Sequence, residues 1–362
     1  MNSVKNSKAP KGVQGKLQGK KEKNYIEECR KFPDLVISSH PESPQEGFEY
    51  IFDRISDPES NKMPSMIQIR GIRGILRFFR IFMKYGRKLM RGRKQSYEDI
   101  EPYLLDLKQN GKYTKETNID ELLNNYPNRE LWFELQDYAK IKWNLSKIGF
   151  TELPSQLIFR NKMVLFRHAL VFMQEMKKEK IDKAPGVKAG DETIKIYAEL
   201  GEAVADIANW FRSKGIKSQA VHPLGGLVCT PPLAGKAGMG GQGMHGFLIT
   251  PEFGSRQRLS PIFIEEKIFE YTDNDDHKWI EEYCKTCRLC QKNCPVDAIL
   301  DEKVVSVTNI PGIGALRSCI DRVKCFSYFG KTVGCSICVK VCPFSNGQRT
   351  YENLKAKFTQ KI

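Results

Sequence analysis

Apolar and polar residues follow several distinct rhythms along this chain, and each rhythm predicts an element. Ile194, Tyr197, Leu200, Val204, Ile207, Ala208 and Phe211 recur every three or four residues, which predicts a helix over 190–213 with Gly215 as its C-terminal stop. Short apolar runs predict strands at 149–153, closed by Pro154, and then at 157–159, 163–166 and 169–173, with a turn at Asn161-Lys162. Residues 97–148 read as helices, broken at Gln109-Asn110-Gly111 and at Asn124-Asn125. A further strand is predicted at 247–250, before a turn at 251–254. Helices and strands together predict an α/β (α+β) fold.

One stretch carries two stripes instead of one. Arg70, Arg73, Arg77, Arg80, Lys84, Arg87 and Arg91 recur at helical spacing, while Ile72, Ile75, Leu76, Phe79, Phe82, Met83 and Met90 fall on the other side. This predicts a basic amphipathic helix over 70–94. Such a helix suits an anionic membrane surface, or it packs its Phe side on the protein and leaves its Arg side in water. Phosphates of tRNA or an acidic partner are a third use of the same Arg face.

Charge sharpens this picture. The chain has 362 residues and a net charge of +15. Residues 1–31 hold nine Lys/Arg against three Glu, and residues 70–94 hold ten against no acids; the remainder is near neutral. The basicity therefore belongs to two appendages, and a nucleic-acid partner for the body of the protein is not expected. Residues 1–24, rich in Lys, Gly and Gln, read as a disordered basic tail. No run of 18 apolar residues occurs, and no apolar leader precedes the eleven cysteines. A reducing, cytoplasmic setting is expected, with the membrane as a peripheral contact at most.

The cysteines carry the chemistry. Cys284, Cys287, Cys290 and Cys294, followed by Pro295, have the C-x2-C-x2-C-x3-C-P spacing of a bacterial [4Fe-4S] ferredoxin. Cys335, Cys338 and Cys342, followed by Pro343, repeat its last three positions. In two-cluster ferredoxins the Cys before Pro serves the other cluster. One cluster is therefore assigned Cys284, Cys287, Cys290 and Cys342, and the other Cys294, Cys335 and Cys338. The position three residues before Cys335 is Thr332, so the last ligand must come from upstream, from Cys325 or Cys319. Cys325 is nearer and leaves a nine-residue loop that can return to the cluster; Cys319 is then a buried thiol. Structural zinc also uses C-x2-C pairs, but nothing about zinc calls for two C-x3-C-P endings.

Ahead of the cysteines lies a weakly charged, Gly-rich region, 220–254. It contains His222, Gly225, Gly226, Gly238, Gly240, Gly243 and His245, and fits neither a dinucleotide fingerprint nor a P-loop. Pro232-Leu233-Ala234, Lys236-Ala237-Gly238-Met239-Gly240, the run from Gly246 to Gly254, and Arg256-Gln257-Arg258-Leu259 resemble the cobalamin-binding core of reductive dehalogenases and epoxyqueuosine reductase. The cysteine array resembles theirs too, including an upstream ligand in a Cys-x-Ser-Tyr-like run, which favours Cys325. The resemblance spans about 145–345.

It implies a nitroreductase-like core at 145–275 that holds cobalamin, a ferredoxin-like double [4Fe-4S] domain at 276–346, a helical N-terminal region at 25–144 and a C-terminal tail at 347–362. It further implies electrons from a low-potential ferredoxin- or flavodoxin-type donor, passed through the clusters to cobalt for reductive cleavage of a carbon–halogen or carbon–oxygen bond in a small-molecule substrate. The cofactor carries such chemistry; the pocket supplies one proton. Dehalogenases use a Tyr backed by cations, which points to Tyr197, with Glu202 as the second candidate; a core Tyr is the alternative at 197. His222, Gly225, Gly226, Gly238, Gly240, Gly243, His245, Arg256 and Arg258 are the expected cobalamin contacts. The chain has neither a twin-Arg signal nor a C-terminal helical repeat extension. A cytoplasmic reductase with its own substrate is thus expected. The alternative is a ferredoxin-type electron-transfer subunit without corrin that docks a partner or a membrane.

Overall fold

The computed structural model describes residues 25–44, 72–114 and 119–360. The basic tail expected at 1–24 lies outside them, as do Arg70 and Gly71 of the amphipathic segment. The N-terminal region is helical: α1 (Ile72–Glu98), α2 (Glu101–Asn110), α3 (Ile119–Asn124) and α4 (Arg129–Trp143). Gly111 caps α2 in the left-handed conformation, as the Gln-Asn-Gly break predicts. Asn128 starts α4, its side chain accepting from the Leu131 amide at 3.0 Å, and Asn144 ends it.

The core is a four-stranded sheet. Its strands are β1 (Lys147–Glu152), β2 (His168–Glu175), β3 (Ser218–Ala220) and β4 (Gln257–Ile264), in the order β1-β2-β4-β3 and antiparallel throughout. This is the α+β form of the expected fold. The strand predicted at 157–159 is instead a 3-10 turn at Ser155–Leu157 and a single bridge from Ile158 to Val228. Met163–Val164 pairs with Ile37–Ser38 outside the main sheet.

Alternation sets the two faces of the sheet. Leu170, Phe172, Ile262 and Ile264 face α5 (Val187–Ser213), against Leu200, Val204, Ile207 and Phe211. Ala169, Val171, Met173 and Phe263 face the opposite layer, where Leu233 of α6 (Thr230–Lys236) and Tyr103 of α2 close the core. Burying each large side chain in these layers contributes roughly 1.5–3 kcal/mol. Gly215 follows α5 at φ 78°, where a residue without Cβ is least strained.

α1 lies along α5, but not on the side expected. Ile81, Tyr85 and Leu89 are buried against Ala198, while Ile72, Ile75, Leu76, Phe79, Phe82, Met83 and Met90 are exposed. The acids of α5 choose the face. Asp191 meets Lys84 at 3.3 Å, and Glu202 meets Lys88 at 3.4 Å as well as Arg91. Packing of the Phe side on the protein is therefore corrected.

The cysteine-rich part follows β4. It comprises α7 (Trp279–Cys287), α8 (Leu289–Lys292), a hairpin of β5 (Ile299–Ile310) and β6 (Gly314–Ile320), α9 (Arg322–Thr332) and α10 (Ile337–Val341). The expected C-terminal tail contains a further helix, α11 (Gln348–Thr359), because Tyr351 packs on Trp279 and Phe344.

This part meets α5 through backbone. A Cβ at Gly190 would stand 2.1 Å from the Val333 carbonyl oxygen, and one at Gly334 would stand 2.5 Å from the Gly190 Cα. The Gly186 amide donates to the Gly334 carbonyl at 2.6 Å. Gly190→Ala must push this loop off α5, and should cost about 1–3 kcal/mol. A melting temperature equal to that of the wild type would contradict the contact.

Candidate functional site

Local geometry places the thiols. Cys284 and Cys287 sit on α7; Arg288, left-handed at φ 51°, turns the chain so that Cys290 on α8 comes back beside them. Cys342 closes this group, being close enough for the charges on Cys284 and Cys290 to act on it. On the other side, Asp321 caps α9, its carboxylate accepting from the Lys324 amide at 3.1 Å, and so sets the position of Cys325. Val333 and Ser336, both left-handed, turn the chain from α9 into Cys335 and Cys338. Cys325 lies within range of Cys335 and Cys294, and Cys338 within range of Cys325 and Cys335.

The structure thus brings Cys284, Cys287, Cys290 and Cys342 near one another, and likewise Cys294, Cys325, Cys335 and Cys338, with Cys338 also within range of Cys290. Cys319 lies beside the first quartet, within range of Cys284 and in the same hydrophobic cluster. It is fully buried on β6, with its thiol directed at the Arg317 carbonyl. Burial pushes Cys290 and Cys342 up to about 12 and Cys284 and Cys325 up to about 11, and the neighbouring thiols push further. Backbone amides act against this, those of Met244 on Cys284 and of Phe344 on Cys342. The Ala298 amide donates to the Cys294 sulfur at 3.3 Å. Among the described residues no three His, Cys, Asp or Glu side chains close on a point as around a single ion.

The core touches both quartets. Met244, in the Gly-rich loop, packs with Cys284, while Cys338 and Phe247 both pack against the cluster of Met176, Ile181, Ile196 and Val339. Arg256 is the tie. Its Nε donates to the Ser345 carbonyl at 2.7 Å, and its Nη1 to Glu175 at 2.5 Å and to the Met176 carbonyl at 2.9 Å. This arginine is consumed in holding the turn after Cys342 to the end of β2.

Arg258 is placed differently. Its guanidinium lies 5.1 Å from the ring centre of Tyr197 and 5.6 Å from that of Phe247. Gln174 faces Arg258 across β2 and β4, and Gln174 Nε2 is 3.5 Å from Glu199. Tyr197, Arg258 and Phe247 therefore form one stack, and Phe247 rests on the same hydrophobic cluster as Cys338. Glu202 is outside this stack, paired with Lys88 and Arg91 as described. Sequence reasoning did not include Phe247, Gln174 or Glu199 in the site. The Arg258–Gln174 register becomes visible only once β2 and β4 are paired.

His222 and His245 are both buried. His222 Nδ1 accepts from the Leu224 amide at 3.1 Å, and its Nε2 presses on α5, where a Cβ at Gly201 would be 2.2 Å away. Burial, then Arg93, lowers His222 to about 3; burial, then Lys303, lowers His245 to about 3. Both rings are neutral at ordinary pH.

A family profile, the 4Fe-4S binding domain, matches residues 277–300. The chain is 28% identical over 204 residues to the tetrachloroethene reductive dehalogenase of Desulfitobacterium hafniense, covering 54% of this chain and 36% of that protein. It is 29% identical over 208 residues to that of Sulfurospirillum multivorans, covering 55% and 40%. The epoxyqueuosine reductase of Gloeobacter violaceus is 28% identical over 150 residues, 40% of this chain and 45% of that protein. The chain is related to the reductive dehalogenases and epoxyqueuosine reductases. Among solved structures, a catabolic reductive dehalogenase shares the fold over 59% of this chain and 33% of its own, with a TM-score of 0.51 at 18% identity. The chain thus spans little more than a third of the length of the dehalogenases it matches.

The groups implied by this relationship can be tested against the residues present. Two groups of four thiols, buried at Cys284, Cys290 and Cys342 and half-buried at the other five, suit iron-sulfur clusters. For a corrin, the fit lies in polar atoms: Gln174 Oε1, Gln257 Oε1, Arg258 Nε, His222 Nε2 and His245 Nε2 are buried with no hydrogen-bond partner. The glycines fit less well. A Cβ at Gly238 would meet Asn274, one at Gly240 the Ile249 carbonyl, one at Gly243 His245, and one at Gly225 the Arg93 guanidinium. These four glycines hold protein against protein; at Gly226 the nearest atoms are 3.8 Å away.

Two measurements follow from this geometry. Cys325→Ser should remove or alter the spectrum of one cluster, and Cys319→Ser should leave both intact; the reverse result would exchange their roles. The second concerns acid. An unfolded histidine titrates near 6.5, whereas folded His222 titrates at about 3. Stability present above pH ~6.5 is lost as pH falls toward 3, by about 1.4 kcal/mol per pH unit for this group. His222→Asn should flatten the fall in melting temperature between pH 6.5 and 5.

Proposed function

We propose that this chain is an iron-sulfur reductase that uses cobalamin. Cys284, Cys287, Cys290 and Cys342 hold one [4Fe-4S] cluster, and Cys294, Cys325, Cys335 and Cys338 hold the other. A low-potential donor of the ferredoxin or flavodoxin type supplies the electrons. The reaction is reductive cleavage of a carbon–halogen or carbon–oxygen bond in a small molecule: two electrons and one proton enter, a C–H bond forms, and halide or the oxygen fragment leaves. When bound, cobalamin supplies a metal able to accumulate the two electrons.

The chain's own residues supply the rest. One observation carries the reading: Arg258 lies over the ring of Tyr197, and the same guanidinium lies over Phe247, which packs on the small cluster of Met176, Ile196 and Val339 that Cys338 also touches. Tyr197 is the proton donor, its phenol being the acid of this stack. Gln174, facing Arg258, holds the amide rim of the corrin through its unpaired oxygen. Arg256 serves by position, keeping the cluster segment seated on the core.

A second reading has one observation in its favour. Gly225, Gly238, Gly240 and Gly243 are filled by protein atoms, as they would be in an electron-transfer subunit without corrin.

Anaerobic reconstitution with iron, sulfide and cobalamin separates the two. The reductase reading expects base-off cob(II)alamin and reduced-cluster EPR signals, and viologen-driven dehalogenation within a panel of halophenols and haloalkenes. Tyr197→Phe should lower turnover by about 10²–10⁴ with both signals unchanged. Full iron content with no bound corrin would leave the electron-transfer reading.

A further inference from the structure

The helix α1 has three faces, and the protein covers one. At 100° per residue, Ile81, Tyr85 and Leu89 form the face that packs on α5. About 120° round the helix from it runs an apolar stripe of Ile72, Ile75, Leu76, Phe79 and Met83, with fractional exposures from 55% to 77%. A similar turn further round, Arg77, Arg80 and Arg87 are exposed. Residues 70–94 contain ten Lys/Arg and no Asp or Glu. Five large apolar side chains in a row, each more than half exposed, exceed the scatter of single apolar residues on an ordinary surface.

We propose that α1 is a membrane-surface anchor that seats the protein on an anionic bilayer. Charge complementarity selects the occupant. An exposed stripe of Arg77, Arg80 and Arg87, in a segment without acids, suits an extended anionic partner, and the apolar stripe beside it needs a medium that accepts Ile, Leu and Phe; the headgroup–acyl boundary of an anionic bilayer supplies both. Nucleic acid satisfies the Arg face alone and leaves Ile72, Leu76, Phe79 and Met83 in water. A spanning role is ruled out by the helix itself: no helix among the described residues is long and apolar enough to cross a membrane. The helix lies in the plane of the surface while its Ile81–Tyr85–Leu89 face, flanked by the Lys84–Asp191, Lys88–Glu202 and Arg91–Glu202 pairs, holds the protein to it.

The test is vesicle flotation of the full chain at low salt, with phosphatidylcholine alone or with added phosphatidylserine. Wild type should float only with the anionic vesicles and be released by salt. Arg77→Glu/Arg80→Glu/Arg87→Glu should weaken binding at least about a hundredfold. Leu76→Ser/Phe79→Ser/Met83→Ser, which keeps every charge, should weaken it by a comparable factor. Cluster absorbance and the melting curve confirm that both variants are folded. Failure of wild type to float, or equal flotation on neutral vesicles, would overturn the anchor. So would an apolar variant that binds anionic vesicles as wild type does, or tight salt-sensitive tRNA binding that depends on the arginines and displaces the vesicles.

Discussion

Everything downstream of the core depends on a contact between two backbones. Gly190 on α5 and Gly334 before Cys335 approach so closely that neither has room for a Cβ, and the Gly186 amide fixes their register with a 2.6 Å hydrogen bond. Contacts of this kind have no side-chain slack, so the position of the second thiol quartet is tied to the position of α5. The buried Arg256 makes the same tie at the other end, from β2 to the turn after Cys342. Two rigid joints, one per quartet, orient the cysteine segment on the sheet.

That rigidity is what gives the Tyr197–Arg258–Phe247 stack meaning. Tyr197 is carried by α5, Arg258 by β4 and Phe247 by the bend just before the short strand Leu248–Ile249. Had the cysteine segment met the core through long side chains, the separation between Cys338 and the stack would vary with their rotamers. Instead Cys338 and Phe247 pack against the same small cluster of Met176, Ile196 and Val339. The stack and the second group of thiols are thereby joined through one hydrophobic cluster, and positioning of this sort is a protein's main contribution wherever a cofactor performs the redox chemistry.

What the sequence revealed divides along physical lines. The cysteine spacing was legible because ligand geometry is local, and α5 was legible because its period persists through 27 residues. The helix α6 was hidden in a region read as loop, although Thr230-Pro231-Pro232 carries the proline of a first helical turn. The tail helix α11 left a trace in the spacing of Tyr351, Leu354 and Phe358. β4 went unread because Pro261 argues against an inner strand; it is tolerated where the short β3 ends, at the Ala220–Ile262 pair. Contacts of the Gly-rich loop could not be read at all. A glycine that accommodates a cofactor and one that accommodates protein atoms look identical in a sequence; Gly238 and Gly240 stand against the carbonyl oxygens of Thr272 and Ile249, and Gly243 against the side chains of His245 and Ile249.

The helix α1 shows how a periodic pattern can be correct and still point the wrong way. Periodicity fixes which residues share a stripe, but not which stripe is buried. Hydrophobicity alone would have chosen the Phe side. The choice fell instead to Asp191 and Glu202, because half-buried carboxylates on α5 demand cations, and Lys84, Lys88 and Arg91 supply them. Satisfying them turns the helix so that the modest face of Ile81, Tyr85 and Leu89 is buried. The energy forgone by leaving Ile72, Leu76, Phe79 and Met83 in water, roughly 1.5–3 kcal/mol for each side chain that could be fully covered, is then available to whatever surface covers them.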